Sequence, residues 1–314
     1  MTGRETSGRS ALAGLAAGAA IIAILASFTL ASRLAYGSAL APADLMAIRF
    51  ATSGLLLLPF AFGRGALALL RVDSLKLAVT GGLGFAALAF HGLLLVPASH
   101  AGVLLHGALP VFTFVFGLLL GRTRAEGRRV LGACLVLLAI AIVGWDGMRG
   151  AGLQQLGGAA LLLAASATWS AFGILAARLR LEPIRAAATV AVLSATAYLP
   201  IYGLLLEPRL GEATLQAVLV QVGIQGVLVG TVSVFAYGWA VSKLGAIGAA
   251  VATAMVPGLT ALAAMPLLSE HPSPLVALAL GILAIGSLLV LSVPRRKARA
   301  PPEPRRHRPP REQR

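Results

Sequence analysis

The chain has 314 residues, of which 58% are hydrophobic and only 12% charged. A soluble domain carries about 25% charged residues, so that class is excluded. A mean hydropathy of +0.88 places the chain in a bilayer. The net charge of +15 does not make it a nucleic-acid binder: nine of the 26 Lys and Arg lie after Pro294, in PRRKARAPPEPRRHRPPREQR. After Pro294 this stretch (residues 295–314) is too rich in proline and charge to pack a core, and it reads as a disordered basic tail beside anionic lipid. The single cysteine, Cys134, rules out an internal disulfide.

Taken in order, residues 1–10 with Arg4 and Arg9 read as a cytoplasmic N-terminus before an apolar run over Ala11–Ala31. That run is longer than the roughly 7–15 residues of a signal-peptide core and is followed by many more, so it is the first membrane helix. Further spans are predicted at Leu45–Phe62, Leu75–Val96, His100–Leu120, Val130–Trp145, Leu156–Ala177, Ile184–Leu206, Leu215–Val241, Gly245–Leu268 and Leu275–Val293, which makes ten. Short connections make neighbours antiparallel hairpins. With the N-terminus inside, 22 of the 26 Lys and Arg fall on the cytoplasmic side; only Arg33, Arg49, Arg149 and Arg209 fall outside. The positive-inside rule is thus satisfied with both termini cytoplasmic.

The stretch from His91 to Leu120 reads as a helix end, a tight turn at Pro97-Ala98-Ser99 and a helix broken at Pro110. It has an echo over Tyr237–Leu268, with Pro257 in the equivalent place. Ala101 to Gly248 and Pro110 to Pro257 keep one separation, 147 residues. The expected fold is therefore an all-α integral membrane protein of ten transmembrane helices, built as two five-helix repeats over residues 11–150 and 151–294. An odd number of spans per repeat inverts the second, as in many secondary transporters.

Candidate functional residues follow from polarity inside apolar spans. Pro110 and Pro257 each remove a backbone donor, freeing the carbonyls of His106 and Thr253, and are candidate kinks or hinges. His91, His100 and His106 are titratable groups in or near the spans of the first repeat. His91 and His106 are candidate substrate contacts, with His106 expected on the face of Pro110. His100 and His106, six residues apart, do not make a metal pair, and no metal or other cofactor is expected. Arg33 and Arg49 depart from the charge rule; a guanidinium there suits a carboxylate or phosphate, or else pairs with Asp44 at the outer rim. Trp169, Gln225 (with Gln221 on its face) and Tyr237 complete the candidate substrate contacts. Glycines 81, 82, 84, 223, 226 and 230 read as close helix approaches. No carboxylate falls at mid-membrane, which disfavours proton antiport through a buried acid.

These residues resemble the drug/metabolite transporter superfamily in its EamA-domain branch, over residues 11–293. The resemblance is carried by Ser32-Arg33, Pro42-Ala-Asp-Leu-Met-Ala-Ile-Arg-Phe50, Leu95-Val-Pro-Ala-Ser-His-Ala101, Leu109-Pro110 and the Gly-rich start of helix 5. In the second half Ala167-Thr-Trp-Ser170, Gly245-Ala-Ile-Gly-Ala249, Met255-Val-Pro257 and Leu268-Ser-Glu270 carry it. The sequence departs from the family's pattern where Gly121-Arg122-Thr123 replaces a Leu-Gly-Glu, though Glu270 is kept, and where Phe28 lies near a missing tryptophan. The resemblance implies an inner-membrane carrier of small metabolites, often an exporter of amino acids or similar compounds.

The expected function is therefore secondary transport of a small metabolite, an amino acid or related compound, outward by alternating access. The expected partners are that solute and the lipid bilayer, with a homodimer left open and nucleic acid excluded. Alternatives are a non-transporting scaffold or subunit, and an intramembrane enzyme. The enzyme lacks a nucleophile or metal motif, so no catalytic residue is assigned, and no Walker motif supports ATP-driven transport.

Overall fold

The computed structural model describes residues 2–61, 71–150 and 152–292, and the basic tail lies outside the described residues. Among the described residues ten helices are long and apolar enough to cross a membrane. They are α1 (Thr2–Ala35, apolar from Leu12), α2 (Pro42–Ala61), α3 (Val72–Leu95), α4 (Ala98–Leu119) and α5 (Gly127–Gly150) in the first repeat. The second holds α6 (Leu153–Arg178), α7 (Pro183–Leu205), α8 (Leu215–Gly245), α9 (Gly248–Leu268) and α10 (Pro274–Leu291). No strand occurs among the described residues.

Local chemistry sets the helix ends. Thr214 and Ser273 cap α8 and α10, their hydroxyls accepting from the Ala217 and Val276 amides at 3.2 Å each. Pro183 and Pro274 occupy first-turn positions, where a missing N–H costs nothing. Gly245, at φ 72°, makes the sharp turn between α8 and α9.

Helices pack where small residues let backbones approach, the expected solution when lipid is as apolar as leucine. α5 and α10 cross at Gly132 and Gly286, where a Cβ on either glycine would run into the other's carbonyl oxygen. α3 meets α6 at Gly92 and Gly158 in the same way, and α1 meets the end of α8 where Gly14 and Gly18 face Leu244. α2 lies on α7 at Gly54 and Ala195, and α4 meets α9 at Gly102 and Pro257. Exchanging the repeats maps the α3–α6 pair onto α8–α1 and the other three pairs onto themselves, so the packing carries the duplication seen in the sequence.

Among the described residues three segments widen from α to π turns: Val79–Leu83 in α3, Gly102–Gly107 in α4 and Val222–Val232 in α8. The offset of 147 residues carries the first onto 226–230, inside the third. The breaks follow the same rule. α4 breaks at Ala108 and α9 at Met255, each two residues before its proline, so Pro110 and Pro257 sit in the first turn of the following segment. This corrects the expectation that His106 and Pro110 share a helical face: i→i+5 turns and a break at Ala108 intervene, so 3.6-residue periodicity does not apply. Of the six glycines expected at close approaches, Gly81 meets Phe172, Gly82 meets Ser194, Gly226 meets Thr52 and Gly230 meets Ser53. Gly223 faces open space, and Gly84 meets only the Val79 carbonyl of its own helix.

Candidate functional site

One end of the bundle, where the α1–α2, α3–α4, α5–α6, α7–α8 and α9–α10 connections lie, is fastened by three carboxylates. At Ser269 the backbone turns left-handed, φ 55°, which ends α9 and swings Glu270 back over the bundle. Glu270 Oε1 accepts from Arg33 Nη2 at 2.6 Å and Nε at 3.1 Å, while Oε2 accepts from the Ala98 amide at 2.6 Å. Arg33 Nη1 also donates to the Leu93 carbonyl at 3.1 Å. This bridge joins α1, the α3–α4 turn and α9, and so ties the repeats together. Beside it the Tyr36 hydroxyl donates to the Phe90 carbonyl at 2.6 Å. Burial raises the pKa of this phenol well above its usual range, against the lowering effect of Arg33, so it remains a donor.

Asp146 makes the second fastening. The Ser273 hydroxyl donates to its Oδ1 at 2.9 Å, joining α5 to the cap of α10, and His100 Nε2 of α4 lies 3.1 Å from Oδ2 without hydrogen-bond geometry. Asp44 makes the third. Fully buried, it accepts from the Tyr202 hydroxyl at 2.5 Å, the Arg209 amide at 3.0 Å and the Ala41 amide at 2.7 Å. Arg33 therefore pairs with Glu270 and not with Asp44, whose oxygens are taken by α7, the loop after it and the Ala41 amide.

Below this end lies a second layer of polar groups. Arg49 is 8% exposed and sits seven residues into α2, about 10 Å down at 1.5 Å per residue. The sequence placed it at the rim because a charge count assigns residues to loops; the structure places it inside the bundle. Its guanidinium carbon stands 5.4 Å from the centre of the Phe28 ring, and Nη1 has no hydrogen-bond partner. Gln225, fully buried on α8, donates to the Phe28 carbonyl at 3.2 Å and the Ser32 hydroxyl at 2.9 Å. Gln221 donates to the Ala31 carbonyl at 2.9 Å. The side-chain carbonyls of both glutamines lack donors.

From Phe28 an aromatic line runs through the interior. Phe28 packs on Phe85 with ring centres 6.0 Å apart, Phe85 on Trp169 at 4.7 Å, and Trp169 on Phe172 at 5.2 Å. Trp169 is thus an interior ring and not a headgroup anchor. His106 is buried on the π segment of α4, and its Nδ1 has no partner. On α6 the Ser170 hydroxyl donates to the Leu109 carbonyl at 3.3 Å, supporting the break from the side.

Arg49, Gln225 and, through Phe28, Trp169 therefore gather in one interior region. Arg33 belongs to the fastening above it. His91 and Tyr237 do not join: His91 is exposed on α3 and bonded to the Ala87 carbonyl of its own helix, and Tyr237 is 43% exposed on α8. Tyr202 and Phe85 are contributors that polarity did not single out, and Asp44, read as a rim partner for arginine, accepts from Tyr202 and the Arg209 amide instead. The Asp44 carboxylate, two residues into α2 and reaching back to the Ala41 amide, is the signal that marks its fastening.

Ten apolar helices in two matched sets, with polar groups enclosed between them, define a multi-pass membrane protein of the two-repeat type. The model of the EamA-like transporter family matches residues 12–145 and 156–292, so the chain belongs to that family of small-solute membrane transporters. Among solved structures, one crystal structure of a protein, 21% identical, superposes with a TM-score of 0.59 over 89% of this chain and 96% of its own. That likeness shows the fold. No curated protein matches the chain.

Proposed function

We propose that the chain is a secondary, ATP-independent transporter of the inner membrane that moves a small metabolite, an amino acid or related compound, outward. In this reading the two repeats are inverted, both termini are cytoplasmic and the carboxylate-fastened end faces out, which the positive-inside distribution supports. The observation that carries this reading is the Arg33–Glu270 bridge, which joins the two repeats at one end of the bundle. At the other end the ion pairs among the described residues, Asp73–Lys76 and Glu182–Arg185, stay within a turn of one helix. The cross-helix tie there is Arg129 to the Ser292 carbonyl at 3.2 Å. A bundle fastened chiefly at one end, with paired helix breaks at Ala108 and Met255, suits rocking of one repeat against the other around an enclosed polar layer.

Uptake of labelled amino acids and related metabolites into proteoliposomes, with and without an imposed pH gradient, tests this. Saturable uptake of at least one solute, indifferent to the gradient, is expected because no acid sits at mid-membrane. Absence of uptake across the panel contradicts transport and favours a scaffold.

A further inference from the structure

We infer that Arg49 is the anion-recognising residue of the solute path: its guanidinium takes a carboxylate or phosphate oxygen of the solute in transit. The inference deepens the transport reading above and rests on it. The three carboxylates of the fastened end are already committed. Asp44 is held by Tyr202 and two amides, Glu270 by Arg33 and the Ala98 amide, and Asp146 by Ser273 with the His100 ring beside it. Glu207 and Glu212 lie exposed on the α7–α8 connection. Among the described residues no carboxylate pairs with Arg49; its Nη1 has no hydrogen-bond partner, and its guanidinium carbon stands 5.4 Å from the centre of the Phe28 ring.

A cation in this position is costly. A ring face returns only part of what hydration gave the guanidinium, and a buried charge persists where a partner arrives to meet it. An anionic oxygen entering this low-dielectric site would gain far more than it would in water. The planar fork of the guanidinium matches carboxylate or phosphate geometry. One free acceptor, tied to Phe28 as Arg49 is, fits the same role. The Gln225 side-chain carbonyl has no donor, and its amide is anchored on the carbonyl of Phe28, the residue whose ring Arg49 covers. It stands ready for a hydroxyl or ammonium on the same solute. Arg49 lies inside the bundle, so a lipid headgroup reaches it only if the helices part toward the bilayer.

Thermal melting of the full chain tests the assignment, using sodium acetate and inorganic phosphate titrated against chloride at constant ionic strength in phosphatidylcholine nanodiscs. Wild type is expected to melt higher with at least one of the two anions. Arg49→Met should melt no lower than wild type without them, because it removes an unpaired charge, and should lose the anion shift. Arg49→Lys should keep part of it, needing roughly tenfold more anion for the same shift, equivalent to about 1.4 kcal/mol. An equal shift in wild type and Arg49→Met, or no shift in wild type, overturns the proposal. So does a shift in wild type produced by phosphatidylglycerol in the disc instead of soluble anion, which assigns the site to lipid. Proteoliposome flux separates the two claims. Flux that survives Arg49→Met removes the anion role and leaves transport standing, whereas an anion shift without flux of any solute removes transport alone.

Discussion

Gly102 of α4 lies against Pro257 of α9, so close that a Cβ on the glycine would stand 3.0 Å from the proline Cα. The contact joins the widened turn of one repeat to the broken helix of the other, just where the two must move if they rock. Gly102→Val is expected to overpack the crossing and lower stability by about 1–3 kcal/mol. Thermal melting in detergent checks this, and flux should fall further than the loss of folded protein explains.

Removing the carboxylate charge at the fastened end should release it. Glu270→Gln keeps an acceptor for the Ala98 amide but weakens the two bonds from Arg33, at a cost of about 1.5–3 kcal/mol. Because that energy stabilises only the fastened arrangement, the variant should expose this end to water more often. A double-mutant cycle with Arg33→Met, read by melting, should show coupling, since the two side chains share one bridge.

Tyr202→Phe isolates the Asp44 fastening. It removes one donor from a buried carboxylate that retains two amide donors, and a loss of about 1.5–3 kcal/mol is expected. Asp44→Ala strips all three donors of their acceptor and should cost more. The order of the two melting temperatures is the test.

Cys134 is exposed on α5 and free. Cys134→Ser should change stability by no more than about 0.5 kcal/mol. Equal melting temperature and equal flux would confirm it as a cysteine-free background.

The ten helices were legible because each is an apolar run with turn residues between, and the duplication was legible because Pro110 and Pro257 keep one offset. The π segments were not: i→i+5 turns leave no periodic mark in residues that are apolar on every side. Glu270 could not be matched with Arg33 across 237 residues, because the left-handed turn at Ser269 that aims it is a backbone property. Hydropathy also cannot separate lipid from protein interior. Both are apolar, so His91 and Tyr237 on exposed faces looked like His106 and Trp169 within the bundle.

The most direct test of alternating access is a distance across the fastened end. Spin labels at Ser38, in the α1–α2 turn, and His271, after Glu270, read it in the Cys134→Ser background by pulsed electron resonance in nanodiscs. The account predicts two distance populations, with the longer one growing in Glu270→Gln. A single distance, unchanged by that substitution, would contradict it.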